Sequence, residues 1–216
     1  MKIAIQIVLW ALSAFFGYMI YKSINGPIEF NKTKEARFAK VIDKLKDIRD
    51  SQVAYKTVTG KYANDFNSLV TFIDTAKFTI TQRRDSSYMA FDEAYGIDRL
   101  NEIVIIDTLG FVPVKDSLFG EDNRYKNMMD VPFAQNNEKF TMKAGTVEKS
   151  GFTLPVFEAK VKKDVILYDQ NKTLLAQENA LVSVEGVNGP EIIVGSLTEV
   201  STNGNWPSTY DSADEQ

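Results

Sequence analysis

The chain has 216 residues, a formal net charge of -4 and a sequence pI near 5.1, and it contains neither cysteine nor histidine. That composition excludes disulfide frameworks, thiol nucleophiles, thiolate zinc sites and every histidine-dependent triad. Mild acidity also argues against nucleic acid as a partner, because phosphate binders display a basic face.

The first element is Ile3–Ile20, IAIQIVLWALSAFFGYMI, which has no charge and only Gln6 and Ser13 as plainly polar residues. As a helix it spans about 27 Å, close to the hydrocarbon thickness of a bilayer. It predicts a membrane anchor within residues 1–24, in contact with lipid through residues 3–20. A cleavable signal peptide would need a small-residue site just after a short apolar core. Ala11-Leu12-Ser13 falls too early for that, with Phe15–Ile20 still apolar beyond it, so an uncleaved anchor is expected. Lys2 lies on one side of the span; Lys22, Lys32, Lys34, Arg37 and Lys40 lie on the other. The positive-inside rule alone would leave the C-terminal domain in the cytoplasm, but Glu29 and Glu35 are interspersed and long domains translocate largely regardless of charge. The expectation is a single-pass protein with its main domain outside the cytoplasm.

Residues 25–76 read as a helical stalk and a short helix. Asn25-Gly26-Pro27 is a predicted helix breaker, since proline supplies no N–H and glycine tolerates unusual dihedrals. From Asn31 a second helix is predicted, in which Phe38, Val41, Ile42, Leu45, Ile48, Gln52 and Tyr55 form one stripe. Lys40, Asp43, Lys44, Lys46, Asp47, Arg49 and Asp50 between them read as a solvated face of mixed sign. The stripe either packs on the protein's own domain or is shared with neighbouring subunits. Gly60 is a plausible C′ residue, Asn64 or Asp65 an N-cap, and Phe66, Leu69, Val70 and Ile73 the apolar face of a short helix.

Residues 77–200 carry strand patterns. These are Lys77–Thr81, Glu102–Asp107 with its run Ile103-Val104-Ile105-Ile106, the alternating Phe140, Met142 and Ala144, and Phe157, Ala159 and Val161 continuing through Asp164–Leu167. The run at Ile103 is the best candidate for a central strand. Leu181–Val187 and Glu191–Val194 flank the turn Asn188-Gly189-Pro190, and Asp169-Gln170-Asn171-Lys172 reads as another turn. Residues 201–216 are polar and acidic, with only Trp206 and Tyr210 bulky, and read as a flexible tail. The fold class is therefore α+β: a transmembrane helix, an amphipathic helix and a short helix, then a mostly antiparallel β-domain.

Within Ile42–Phe72, IDKLKDIRDSQVAYKTVTGKYANDFNSLVTF resembles bacterial type IV pilin-like proteins, particularly type II secretion pseudopilins. The matching positions are Ala54 with Tyr55, Gly60 with Tyr62, and Leu69. The resemblance implies an N-terminal membrane helix running into an amphipathic one, with a β-sheet domain packed on it. It covers about thirty residues, and the family's leader peptidase site, a glycine followed by an aromatic with a nearby glutamate, has no counterpart here. The implied role is non-enzymatic: a single-pass structural or interaction subunit of a secretion- or pilus-like bacterial envelope complex, anchored in the inner membrane with its domain in the periplasm. The implied partners are other envelope membrane proteins or further copies of the chain. The candidate interaction residues are Phe38, Val41, Ile42, Leu45, Ile48, Tyr55, Gly60 and Tyr62. The alternative is a membrane-tethered β-domain that binds a small ligand or lipid in a cavity. No cofactor or metal is expected.

Three further groups have two readings each. Arg83-Arg84 is a solvated pair at a strand end, or a grip for an anionic headgroup or partner carboxylate. Gly120–Asn123 is a turn, or a cation loop without EF-hand spacing. Tyr88, Met89, Phe91 and Tyr95 are core packing, or a docking patch for a subunit.

Overall fold

The computed structural model describes residues 2–92 and 95–211. The chain is α+β, a long N-terminal helix with apolar residues at its start, a few short helices, and two separate antiparallel sheets.

Helix α1 runs unbroken over Lys2–Thr59, 58 residues with Pro27 inside it. The expected break at Asn25-Gly26-Pro27 is absent. Proline removes the bond its own N–H would give to the carbonyl of Ser23 and crowds that carbonyl, but its fixed φ is helical and α1 continues through it. The two halves of α1 then differ. From Ile3 to Ile24 the large apolar side chains are 47–78% exposed, whereas Phe30, Phe38, Val41, Ile42, Leu45 and Ile48 are at most 5% exposed. The N-terminal end is long and apolar enough to cross a membrane.

At the far end, Gly60 closes the helix at φ +79° with its N–H on Lys56 O at 2.8 Å, as its predicted C′ role requires. Helix α2, Phe66–Thr75, starts at Asp65, whose carboxylate accepts from Ser68 N at 2.8 Å. Buried Leu69, Phe72 and Ile73 face the core.

Next comes a hairpin, β1 (Lys77–Asp92) paired with β2 (Ile97–Pro113), with one bulge at Ile80/Thr81. It forms its own two-stranded sheet. The run at Ile103 is therefore not a central strand, and Ile103, Val104 and Ile106 are 41%, 48% and 65% exposed. Helix α3 (Val114–Leu118) and a 3₁₀ turn at Arg124–Asn127 lead back to the core.

The second sheet has the order β3-β4-β5, with β3 Thr141–Lys149, β4 Phe152–Lys162 and β5 Glu191–Gly195. Ser150 and Gly151 join β3 to β4 with φ of 54° and 81°, the left-handed pair of a type I′ turn. Phe157, Ala159 and Val161 of β4, with Ile192 and Val194 of β5, form the buried face. Gly195 has φ +77°, and a Cβ there would lie 2.3 Å from Phe157 O, so the chain leaves the sheet only through glycine.

Three other expectations are corrected. Asp164–Leu167 does not extend β4; Lys163–Ile166 is a helical turn, α4, because burying Lys163 and Ile166 together requires helical spacing. The turn at Asp169–Lys172 is followed by helix α5, Lys172–Asn179, capped by Asn171 through Thr173 N and Leu174 N. Leu181–Val187 is irregular; Val182 and Val184 are 89% and 93% exposed and pair with no strand.

The expected tail is packed through residue 211. Gly204 bridges Val194, and Trp206 is 8% exposed. The Asn205 side chain behaves as extra backbone: its Oδ1 accepts from Ile193 N at 2.9 Å, and its Nδ2 donates to Asn188 O and Glu191 O at 2.9 and 2.8 Å. The remainder of that predicted tail, residues 212–216, lies outside the described residues.

Candidate interaction surface

The predicted stripe of α1 is brought together with the rest of the domain. Val41, Ile42, Leu45 and Ile48 are 0% exposed and Phe38 is 1% exposed, all within the chain's own core. Of the two readings, the stripe packs on the protein's own domain. Tyr55 lies partly buried with its ring 4.8 Å from Phe72. Tyr62 folds back, as the turn at Gly60 permits, and its ring meets Phe157 of β4 at 4.7 Å. Gln52 fixes this reversal. Its Nε2 donates to Ala63 O and its Oε1 accepts from Ala63 N, both at 2.8 Å and buried, which satisfies a backbone pair with no other partner in a helix or strand.

The mixed-charge face of α1 is not simply solvated. Its groups tie the C-terminal segments to the helix. Arg37 forks onto Asp169, Nη1 to Oδ1 at 2.6 Å and Nη2 to Oδ2 at 2.8 Å, and Nη1 also donates to Ile166 O at 2.8 Å. That guanidinium, with help from Gln170, lowers the Asp169 carboxyl to a pKa of about 2. Lys34 Nζ lies 2.9 Å from Glu178 Oε2, whose Oε1 is 2.9 Å from Lys163 Nζ. Lys163 is 0% exposed, and its other donors go to Glu178 O and Val187 O at 3.0 and 2.8 Å. Burial pushes its pKa down while Glu178 pulls it up, and burial wins. Lys44 Nζ donates to Asn127 O and Asp130 O, Asp47 receives the Arg124 fork, and Lys46 Nζ donates to Tyr210 O at 2.6 Å. Tyr125, fully buried, donates its hydroxyl to Asp74, a bond that with burial raises the phenol to about 12.

The other expected groups separate differently. Gly120–Asn123 is a turn whose Asp122 serves Arg124, and no metal-holding group of acidic residues occurs among the described residues. Arg83 and Arg84 lie in the middle of β1, with Arg83 3.6 Å from Asp85 and Arg84 2.5 Å from Asp107. Tyr88, Met89, Phe91 and Tyr95 are 51%, 62%, 63% and 71% exposed, so core packing is overturned. They belong to the hairpin. One face of the ladder carries Tyr88, Ile97, Ile103 and Ile105, and the other carries Met89, Phe91, Leu100, Val104 and Ile106. Sequence reasoning located pieces of this arm without its length. The missed signal is that apolar residues recur on both faces, which breaks the period-two alternation of a half-buried strand.

Comparison with known proteins found no matching family model, no matching curated protein and no matching solved structure.

Proposed function

We propose that the protein is a non-enzymatic, single-pass membrane-anchored subunit of a multiprotein bacterial envelope assembly, with its domain on the periplasmic side. The observation that carries this reading is the division of α1. One continuous helix is bare and apolar from Ile3 to Ile24 and forms the spine of the core from Phe30 to Ala54. A rigid continuation of the membrane span thus holds the domain at a set height, and anchoring confines it to a plane, which raises its effective concentration for neighbours. The short resemblance to pilin-like proteins at Ala54–Tyr62 agrees with a role in a secretion- or pilus-like complex. A ligand-binding domain is less well supported, because the space between α1 and the sheet is occupied by Phe157, Ile192 and Val194 against the α1 stripe.

Purification of the tagged full-length chain in mild detergent, followed by mass spectrometry, tests this reading. A reproducible stoichiometric set of envelope membrane proteins is the expected result; recovery of the chain with none overturns it. Since the chain lacks cysteine, a single Ser183→Cys probed with a membrane-impermeant thiol reagent in intact cells reads the topology. Labelling from the periplasm is expected, and protection until lysis refutes that orientation.

A further inference from the structure

The β3-β4-β5 sheet has a direction relative to the apolar end of α1. The Phe157 ring meets Tyr62, just beyond the far end of α1, whereas Lys163 Nζ, past the end of β4, lies 5.7 Å from the centre of the Phe38 ring. Strand β4 therefore runs back along α1 toward the span, and antiparallel β5 begins at the span side, with Glu191 opposite Lys162. Helix α5 and the loop 181–190 lie at that same end. Lys34 Nζ is 2.9 Å from Glu178 Oε2, Leu181 N donates to Glu178 O, and Lys163 N donates to Pro190 O.

The height of this end above the bilayer follows from helix rise. Ile3–Ile24 spans about 33 Å, which already fills a hydrocarbon layer of about 30 Å. Headgroups add about 5–7 Å on each side, so the next turns of α1, Asn25–Phe30, pass through that layer. The domain already covers α1 there. Phe30 is 5% exposed, and Gly26 is partly covered where Gly17, in the bare part, is exposed. The span-side end of the domain thus stands at headgroup depth, and it carries Val182 and Val184 at 89% and 93% exposed. Both exceed every large apolar side chain described in the span, where Trp10 is highest at 78%. Their loop is tied in place: Ser183 N donates to Asn188 Oδ1 at 2.7 Å, and Gly189 N donates to Leu181 O at 3.1 Å. We propose that loop 181–186 is a second membrane contact, its two valines seated at the headgroup–acyl boundary of the leaflet from which α1 emerges. Apolar side chains presented at that depth gain by leaving water, and the second contact stops the domain pivoting on α1. The proposal rests on reading Ile3–Ile24 as a span and names lipid as what the loop meets. Headgroup depth remains open to aqueous reagents, so a topology probe at Ser183 still reports the side.

Because the chain lacks cysteine, single-cysteine variants of the full-length protein can each carry one nitrobenzoxadiazole fluorophore. Three are compared in phosphatidylcholine vesicles containing lipid with a nitroxide near the top of its acyl chain. Val184→Cys tests the loop and Leu12→Cys the span. Phe152→Cys is the control, since Phe152 is also apolar and 70% exposed but lies at the opposite end of the sheet. Quenching is expected at Leu12, and at Val184 it is expected to be at least about threefold stronger than at Phe152. Adding Val182→Asp to the Val184→Cys variant is expected to bring its quenching down to the Phe152 level, which separates seating by the loop from partition of the dye. Both positions are exposed side chains, and an unchanged circular dichroism spectrum verifies the fold. Equal quenching at Val184 and Phe152, with Leu12 quenched, overturns the second contact and leaves the span standing. No quenching at Leu12 overturns both. Blue-shifted but unquenched emission at Val184 marks a contact with protein instead of lipid and also overturns the proposal.

Discussion

The two antiparallel sheets of this protein teach different lessons about what holds a sheet together. The hairpin β1-β2 has strands of 16 and 17 residues, longer than the 9, 11 and 5 residues of β3, β4 and β5. It therefore has the longer ladder, yet most of its side chains face solvent, while the shorter sheet buries Phe157, Ala159, Ile192 and Val194 in the core with α1. Backbone hydrogen bonds exchange with water and each contributes about 1 kcal/mol net, whereas burying an aliphatic or aromatic side chain contributes about 1.5–3 kcal/mol. By that measure the short sheet is the stable one and the long hairpin is held mainly by its own ladder.

The sharpest test of this contrast is a matched pair of truncations read by denaturant unfolding. Phe157→Ala in the covered sheet is expected to cost about 3–5 kcal/mol, because it leaves a cavity against Tyr62. Met89→Ala in the arm is expected to stay within about 0.5 kcal/mol. Equal losses would break the comparison. Next in size is Lys163→Ala, which removes the buried cation that Glu178 and Val187 O surround, with an expected loss of about 3 kcal/mol by thermal melting. A loss below about 1 kcal/mol would show that Lys34 alone can neutralise Glu178.

Gly60→Ala is expected to cost about 1–2 kcal/mol, since nothing lies within 4 Å of the added Cβ and only the positive φ is penalised. Acid should produce a comparable effect through Asp169. Its pKa falls from about 3.9 in the unfolded chain to about 2 beside Arg37, so its contribution is full above pH 4 and is lost as the pH falls through 2. Because Asp169 is 40% exposed, solvent screening reduces that contribution to about 1 kcal/mol. Unfolding measured from pH 5 to pH 2 should show it, and Arg37→Gln should flatten that limb. The smallest energies belong to the arm itself. Its amides should exchange with solvent well before those of β4, and arm protection equal to that of β4 would contradict the picture of an uncovered ladder.

Much of the local structure was legible along the chain. The stripe from Phe38 to Tyr55, the closing role of Gly60, the Asp65 cap, and strand patterns at Met142, Phe157 and Ile192 depend on periodicity and on backbone freedom, which are properties of neighbouring residues. What the stripe faces was not legible, because an apolar helix face looks the same whether its own sheet or another subunit covers it. Pro27 read as a break, since its cost is known locally, but whether a helix tolerates it depends on the two halves it joins. Lys46 read as a solvated charge, Arg37 only as one of the charges flanking the span, and Lys163 carried no signal; only the return of residues 163–211 to α1 supplied Asp169, Tyr210 O and Glu178 as partners. The bareness of the run at Ile103 was likewise invisible, because a strand's hydrophobicity records what would be favourable to bury, and the path of the rest of the chain decides whether anything is there to bury it.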